Sequence, residues 1–283
     1  MTKVIGVLLE DAAKQGITQD FFATIIEGFK RVCNKKGYAI QFLNQEEGVE
    51  RPTYLEQVKE HNLDGVLIAT ATDSDELFEL VGSDVPVAVI DKDYDYDNTV
   101  NIQSDNAKGM QQLVEHIVSL GHRKIAYIMG QDNYVTNVRF NEFLKVCSKH
   151  QIKIPEEYII RGEFRNIGLS AFHTETLLKL PDAPTCILYS DDYAAIGGMN
   201  VINARGLEIP RDISVAGYDG NEVLANIEPS ITTIDQNNML MGEAAAEKLI
   251  YNIENPDNPI YGTTTIESEF QYGRSVGQVY AAF

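Results

Sequence analysis

The sequence is poor in the groups from which disulfides, membrane spans and export signals are built. Its 283 residues include three cysteines and no tryptophan. The cysteines (33, 147 and 186) lie far apart, without metal-ligand spacing, and an odd number cannot all pair. No apolar run approaches the roughly 20 residues of a membrane span, and residues 1–9 are too short for a secretory signal. We therefore predict a soluble protein of the reducing cytoplasm, without membrane contact.

Basic residues are also scarce. The chain has 23 Lys and Arg against 42 Asp and Glu, a formal net charge of -19. Nucleic-acid binding depends on Lys and Arg that neutralise phosphates, so this chain is not expected to bind nucleic acid by itself. Its hydrophobic fraction of 44% is sufficient for one large or two medium domains with sizeable cores.

Phosphate-loop, dinucleotide and metal motifs are missing as well. The sequence has no G-x-x-x-x-G-K-[ST] loop and no G-x-G-x-x-G after its first apolar stretch. The five histidines show no H-E-x-x-H or comparable spacing. We predict no metal site, no cofactor and no enzymatic activity.

What the sequence does contain is a regular alternation of short apolar runs and segments of helical period, which is typical of parallel sheets with crossover helices. The predicted strands are residues 4–9, 38–43, 65–69, 87–90, 124–129, 185–190 and 213–218. The predicted helices are 22–33, 106–120, 138–150 and 192–204. Because the strands are too many for one open sheet, we predict an α/β fold of two doubly wound, Rossmann-like lobes with a ligand cleft between them.

The stretch VAGYDG, residues 215–220, ends a predicted strand with an aromatic ring and a carboxylate between two glycines. Ligands of open α/β sheets bind beyond the carboxyl ends of strands. Gly217 and Gly220 would permit close approach or a positive φ, while Asp219 could accept hydrogen bonds from vicinal hydroxyls. The alternative is that Asp219 caps a turn.

Other polar groups follow predicted strands in the same way. In YSDDYAAIGG, residues 189–198, one aspartate would cap the helix, which leaves the second of Asp191 and Asp192 without an assigned role. Arg139 is predicted at the start of a helix, where a cation is disfavoured, so either a ligand oxygen pair or a surface ion pair would explain it. Phe164 suits the core or stacking on a ligand, and Glu10 suits a solvated loop or a ligand contact.

Several longer motifs resemble the effector-binding and dimerisation domain of the LacI/GalR family of transcriptional regulators. They are PTCILYSDDYAAIGG (184–198), RGLEIPRDISVAGYDG (205–220), EPSITTIDQ (228–236), LDGVLI (63–68), SLGHRKIAYIMG (119–130) and NVRFNEF (137–143). Together they extend the resemblance over nearly the whole chain.

The resemblance implies a periplasmic binding protein type I-like fold. Its lobes would comprise residues 1–121 plus 235–255, and 122–234 plus 256–283. It also implies a small molecule, usually a sugar or a purine, in the cleft. Asp219 and Arg139 match the family's ligand-binding aspartate and arginine, Phe164 its stacking aromatic, and Phe22 the aromatic pair after the first strand.

Two departures from the family pattern affect the interpretation. Asp191 stands where many members have Asn, and with Glu10 and Asp105 as further carboxylates this indicates a ligand that is rich in hydrogen-bond donors or carries positive charge. The family's DNA-binding helix-turn-helix would precede Lys3 and is not in this sequence, so operator DNA would be bound only through that missing part.

We therefore predict the sensing domain of a homodimeric regulator, with a sugar favoured over a purine as effector. The alternatives are a solute-binding or receptor domain of the same fold, and an enzyme using Asp191, Asp192 and Asp219.

Overall fold

The computed structural model describes residues 2–9, 20–43, 51–69, 74–92, 94, 98–221, 224 and 226–279. It divides into two compact units, each made of two chain segments. Unit 1 is Met1–Ser104 with Asn237–Glu267, and unit 2 is Asp105–Gln236 with Ser268–Phe283. Within the described ranges, no helix is both long enough and apolar enough to cross a membrane.

Unit 1 is built on a parallel sheet. In chain order its strands are β1 (Val4–Leu8), β2 (Ala39–Phe42), β3 (Gly65–Ile68), β4 (Val87–Ile90), β5 (Thr99–Ser104) and, later in the chain, β11 (Gly262–Ile266). Their spatial order is β11-β5-β4-β3-β1-β2. The helices are α1 (Asp20–Lys36), α2 (Tyr54–Glu60), α3 (Asp75–Val81) and α8 (Asn238–Glu254). The apolar stripe of α1 is buried with residues of β1 and α8 in one core cluster, and a second cluster lies with α2 and α3.

Unit 2 has a parallel sheet of spatial order β7-β6-β8-β9. Its strands are β6 (Ile125–Met129), β7 (Ile159–Arg161), β8 (Cys186–Tyr189) and β9 (Ser214–Ala216), and an antiparallel pair is formed by β10 (Thr233–Asp235) and β12 (Glu269–Gln271). The helices are α4 (Asn106–Ser119), α5 (Tyr134–Lys149), α6 (Ile167–Leu178) and α7 (Asp192–Ala204). Two isolated parallel bridges, Ala216 with Thr232 and Asp219 with Asp235, place β10 beside the end of β9.

The seven predicted strands and four predicted helices are all present; β4 and α7 have the predicted ends, and the other elements have shifted ends. The largest shift is at α5, which begins at Tyr134 because Asn133 caps it, accepting a hydrogen bond from the backbone N–H of Thr136 at 2.8 Å. Five of the observed strands were not predicted: β5, β7, β10, β11 and β12. The threonine-rich run of β11, GTTTI, lacks the apolar pattern of a buried strand.

The units differ from the predicted lobes in their boundaries. Helix α4 was placed in the first lobe but lies in unit 2, because Met110 and Leu113 are buried in one core with Ile125 and Phe143. Residues 256–267 were placed in the second lobe, but β11 pairs with β5 in unit 1.

Candidate functional site

The candidate site lies at the carboxyl edge of the unit 2 sheet. Strands β6, β8 and β9 all end at this edge because they run parallel. Beyond their ends, the chain places the start of α5, the start of α7 and the VAGYDG stretch. Such edges are where open α/β sheets bind ligands. Four of the predicted site residues, Asp219, Arg139, Asp191 and Phe164, belong to the segments at this edge.

Asp219 is nearly buried, with 6% of its surface exposed, and has a φ of 101°. Its Oδ1 accepts a hydrogen bond of 2.6 Å from Nε2 of Gln236, and its backbone N–H donates to the carbonyl of Ile234 at 2.9 Å. Burial raises the pKa of Asp219 from 3.8 to about 7, although the neighbouring Arg139 charge acts in the opposite direction. The desolvation of the carboxylate therefore outweighs its attraction to the guanidinium.

Arg139 is the counterpart of this carboxylate and is also buried, at 2% exposure. Its Nη1 lies 3.8 Å from Oδ1 of Asp219, and its guanidinium stacks over the ring of Tyr218 at 3.7 Å from the centroid. Nε donates to Oδ1 of Asn106 at 2.7 Å, and Nη1 donates to the carbonyl of Ser190 at 3.2 Å. The surface ion pair is thereby excluded, and Arg139 lies in the second turn of α5 and not at its start.

The two glycines of the VAGYDG stretch have the roles predicted for them. A Cβ at Gly217 would overlap Oδ1 of Asp192, so this position requires close approach of a side chain to the backbone. Gly220 has a φ of 69°, and a Cβ there would lie 2.6 Å from Cα of Asp235. The ring of Tyr218 supports the guanidinium. The stretch is therefore shaped to hold Asp219 beside Arg139.

Asp191 is the N-cap of α7 and is fully buried. Its Oδ1 accepts from the backbone N–H of Ala194 at 2.9 Å. Its Oδ2 accepts from the backbone N–H of Arg165 and from the hydroxyl of Ser190, both at 2.8 Å. A carboxylate has about four acceptor sites on its two oxygens, so these three donors occupy most of them. They also fix the start of α7 to the segment after β7.

Asp192, the second aspartate of the pair, is also fully buried. Its Oδ2 accepts from the backbone N–H of Asn221 at 2.9 Å, and its Oδ1 accepts from the hydroxyl of Thr233 at 2.7 Å. Burial raises the pKa of Asp192 well above 3.8, and the nearby charge of Asp219 adds to this effect. Asp192 therefore ties α7 to the chain after β9 and to β10.

Phe164 follows β7 and is half-buried. Its ring lies against the backbone of Gly130 at the end of β6, where a Cβ would come within 2.5 Å of the ring. Its backbone N–H donates to Oε1 of Gln131 at 3.0 Å. The ring is thus held at the edge, neither inside a core cluster nor free in solvent.

The other predicted residues lie elsewhere or outside the described ranges. Asp105 is the N-cap of α4, where its Oδ1 accepts from the backbone N–H of Lys108 at 3.0 Å. Phe22 belongs to unit 1, in the first turn of α1, and is half-buried with its ring 5.0 Å from that of Phe21. Glu10 lies outside the described residues.

Three residues of the site were not predicted: Asn106, Tyr218 and Gln236. Each lies beside or within a predicted stretch: Asn106 follows Asp105, Tyr218 lies in VAGYDG and Gln236 ends EPSITTIDQ. The sequence signal that could have identified them is the presence of amide and aromatic side chains next to predicted ligand residues. This signal does not show which amide is hydrogen-bonded to which charged side chain, because the partners are far apart in sequence.

The sequence also contains a G-x-S-x-G pattern at residues 273–277, which is the pattern of a nucleophile elbow. Ser275 is fully buried; its hydroxyl donates to the carbonyl of Val215 at 2.6 Å and accepts from the backbone N–H of Thr232 at 2.9 Å. This serine therefore joins strands and is not presented to a substrate. Among the described residues, no group of three or more His, Cys, Asp or Glu side chains is placed to hold a metal ion.

Comparison with known proteins identifies relatives along most of the chain. Residues 114–276 match the family of periplasmic binding protein-like domains. The probable HTH-type transcriptional repressor ExuR of Bacillus subtilis is 30% identical over 246 residues, covering 86% of this chain and 72% of that protein. The HTH-type transcriptional repressor PurR of Aliivibrio salmonicida is 28% identical over 257 residues, covering 89% and 75%.

The fold is shared with solved regulators. A LacI family transcriptional regulator from Enterococcus faecium, crystallised with bound ribose, superimposes with a TM-score of 0.83 at 24% identity, covering 98% of this chain and 100% of that one. The family match spans more than half of the chain, and the ExuR relative reaches 30% identity. The chain therefore belongs to the LacI/GalR family of transcriptional regulators and comprises its periplasmic-binding-protein-like domain.

Proposed function

We propose that this domain senses a small molecule for a LacI-type transcriptional regulator, and that the molecule binds at the carboxyl edge of the unit 2 sheet. Asp219 and Arg139 would supply the polar contacts and Phe164 an apolar wall. Asp191, Phe22, Glu10 and Asp105 stay in the proposal as further contacts.

The observation that carries this proposal is the paired burial of Arg139 and Asp219 at the edge. Two opposite charges are held 3.8 Å apart, beyond hydrogen-bonding distance, and are only 2% and 7% exposed in their side chains. A buried charge pair without a direct hydrogen bond is costly, because desolvation is not fully repaid by attraction. A ligand that accepts from the guanidinium and donates to the carboxylate would offset that cost.

A sugar fits this pair better than a purine does. Vicinal hydroxyls are both donors and acceptors, so one ring can satisfy Asp219 and Arg139 together, while its C–H face packs on Phe164. The Enterococcus faecium regulator with bound ribose supports the same class. Asp219 is the carboxylate that favours a donor-rich ligand, because both oxygens of Asp191 already accept hydrogen bonds within the protein.

We further propose that the regulator is a cytoplasmic homodimer and that operator DNA is contacted by a part of it other than this domain. The net charge of -19 supports the second statement. Three buried free thiols support a reducing compartment. Relatives named as repressors support binding, in preference to catalysis, as the role of the site.

The test is a binding screen on the purified chain. Thermal unfolding would be followed by circular dichroism with D-ribose, D-galactose, cellobiose, hypoxanthine and guanine, and every stabilising compound would be titrated by calorimetry. We expect at least one sugar to bind. Binding of purines alone would contradict the sugar assignment, and no binding by any of the five would contradict the proposed ligand class.

Variants of the charge pair test the site itself. Asp219→Asn and Arg139→Lys should each weaken binding by about tenfold or more, because each removes a hydrogen bond to a charged group. Arg211→Lys is the matched control, since Arg211 pairs with Asp212 and Glu208 on an exposed surface. Unchanged affinity in both site variants would place the ligand elsewhere.

A further inference from the structure

The candidate site contains more buried carboxylates than buried cations. Asp191 and Asp192 are 0% exposed and Asp219 is 6% exposed, whereas Arg139, at 2%, is the buried cation at this edge. All four belong to unit 2. Ionisation of all three carboxylates beside one guanidinium is unfavourable, because burial and neighbouring like charge both disfavour the charged form. At least one of the three carboxyl groups is therefore expected to hold a proton.

Asp191 and Asp219 are connected through the guanidinium of Arg139. Its Nη1 lies 3.8 Å from Oδ1 of Asp219 and donates to the carbonyl of Ser190, the residue before Asp191. The oxygens of Asp191 accept hydrogen bonds from three donors within the protein, which use most of its acceptor sites. Asp191 is therefore poorly placed to bind a ligand directly, but its negative charge acts on Asp219.

Asp192 and Asp219 differ in how they are surrounded. The donors to Asp192 are all neutral: the backbone N–H and side-chain amide of Asn221, at 2.9 and 3.4 Å, and the hydroxyl of Thr233, at 2.7 Å. Within the described part of the chain, the carboxylate of Asp219 accepts one hydrogen bond, from Nε2 of Gln236 to Oδ1 at 2.6 Å. Asp219 thus has an oxygen, Oδ2, left for a ligand or a proton.

The charged surroundings of Asp219 identify it as the carboxyl group that exchanges its proton near neutral pH. Burial raises its pKa to about 7, while Arg139 lowers it and Asp191 raises it. Burial also raises the pKa of Asp192 well above 3.8, so Asp192 keeps its proton more firmly. The titratable and charged groups around Asp219 come from every neighbouring element and are Arg139 of α5, Tyr127 of β6, Arg165 after β7, Asp191 and Asp192 at α7, and Asp235 of β10.

We propose that Asp191 is a specificity-determining residue that acts through Asp219: together with burial, its negative charge keeps a proton on Asp219 in the ligand-free site up to neutral pH, and a ligand hydroxyl that donates to Asp219 releases this proton to solvent. The O–H bond of the carboxyl group breaks, and the hydrogen bond from the ligand takes its place, so no further reactant is needed. Effector affinity then depends on pH. This inference rests on the proposed function for its biological meaning, and its first test uses no ligand.

The first test follows the carboxyl ¹³C shifts of protein labelled at aspartate, by NMR from about pH 4 to 9. We expect one aspartate of the wild type to titrate near pH 7, and this titration to be absent from Asp219→Asn, which assigns it. Asp191→Asn should lower its midpoint by roughly one pH unit, the order expected for the loss of one buried charge. A purely structural role for Asp191 would not move a titration at another residue in this direction.

Two controls and a second variant accompany this measurement. Ser190→Ala removes one donor to Asp191 but keeps its charge, and Asp182→Asn removes a charge from an exposed surface. Neither should move the midpoint. Asp191→Ser removes the charge but keeps an N-cap acceptor for α7, so it replaces Asp191→Asn if that variant does not fold. Circular dichroism checks the folding of each variant.

The second test measures D-ribose affinity by calorimetry between pH 5.5 and 8. In the wild type the affinity should rise by about tenfold or more up to pH 7 and then stay constant, because the sugar hydroxyl requires the ionised form of Asp219. The ratio of the affinities at pH 8 and 5.5 should be severalfold smaller in Asp191→Asn and close to one in Asp219→Asn.

Three results would overturn the inference: no aspartate of the ligand-free wild type titrates above about pH 6, the midpoint is the same without the charge of Asp191, or D-ribose binds more tightly at low pH. If D-ribose does not bind at any pH, the proposed function loses support, while the NMR midpoints still decide this inference.

Discussion

The pKa of Asp219 makes a quantitative prediction about how stability depends on pH. Burial raises this pKa to about 7 from its ordinary value of 3.8. Between these two values the folded protein holds a proton at Asp219 that the unfolded chain has released. The free energy of unfolding contributed by this group therefore falls as the pH rises, by about 1.4 kcal/mol per pH unit, and becomes constant above about pH 7.

The matched comparison is Asp219→Asn, which has no titrating group at this position. From pH 5 to 8, the free energy of unfolding of the wild type, minus that of the variant, should fall by roughly 3 kcal/mol. Urea unfolding followed by circular dichroism measures both, and is suitable because the chain has no tryptophan to serve as a fluorescence probe. A difference that stays constant across this range, or that rises with pH, would refute the assignment of a raised pKa to Asp219.

Three further substitutions test the packing of the site. Gly217→Ala should lower the free energy of unfolding by about 1–3 kcal/mol, because the new Cβ overlaps the Asp192 carboxylate. Gly168→Ala, in an open helical position, should cost nothing, and equal losses in urea unfolding would contradict the argument. Asp191→Asn should cost about 1–3 kcal/mol in the same assay, because an amide nitrogen cannot accept the backbone hydrogen bond now made to Oδ2; full stability would disprove this. Tyr218→Leu removes the ring under the guanidinium and should weaken calorimetric sugar binding severalfold, an interaction of about 0.5–2 kcal/mol.

The fold was accessible from the sequence because buried parallel strands are continuous apolar runs. Strands β3, β4 and β8 are buried along their whole length, and their apolar sequences GVLI, VAVI and CILY mark where each strand lies. The polar strand β11 could not be found in this way. Its place is set by pairing with β5, a long-range contact without a local signal.

The unit boundaries were less accessible for a related reason. Helix α4 has an apolar stripe that would suit either unit, and periodicity does not reveal which sheet it covers. The candidate site was accessible only in part. A strand end followed by charged residues predicts that Asp219 and Asp191 lie at the ligand edge. This pattern could not show that both oxygens of Asp191 accept hydrogen bonds from backbone N–H groups and a hydroxyl of the protein.

The left-handed backbone at Asp219, with φ 101°, restricts any redesign of effector specificity. Among the standard residues, Gly, Asn and Asp tolerate such a conformation best, so longer or branched side chains are disfavoured here whatever ligand they would suit. Engineering a sensor for a new effector from this scaffold is therefore better directed at Phe164 and the residues around it, with the carboxylate retained as a fixed anchor.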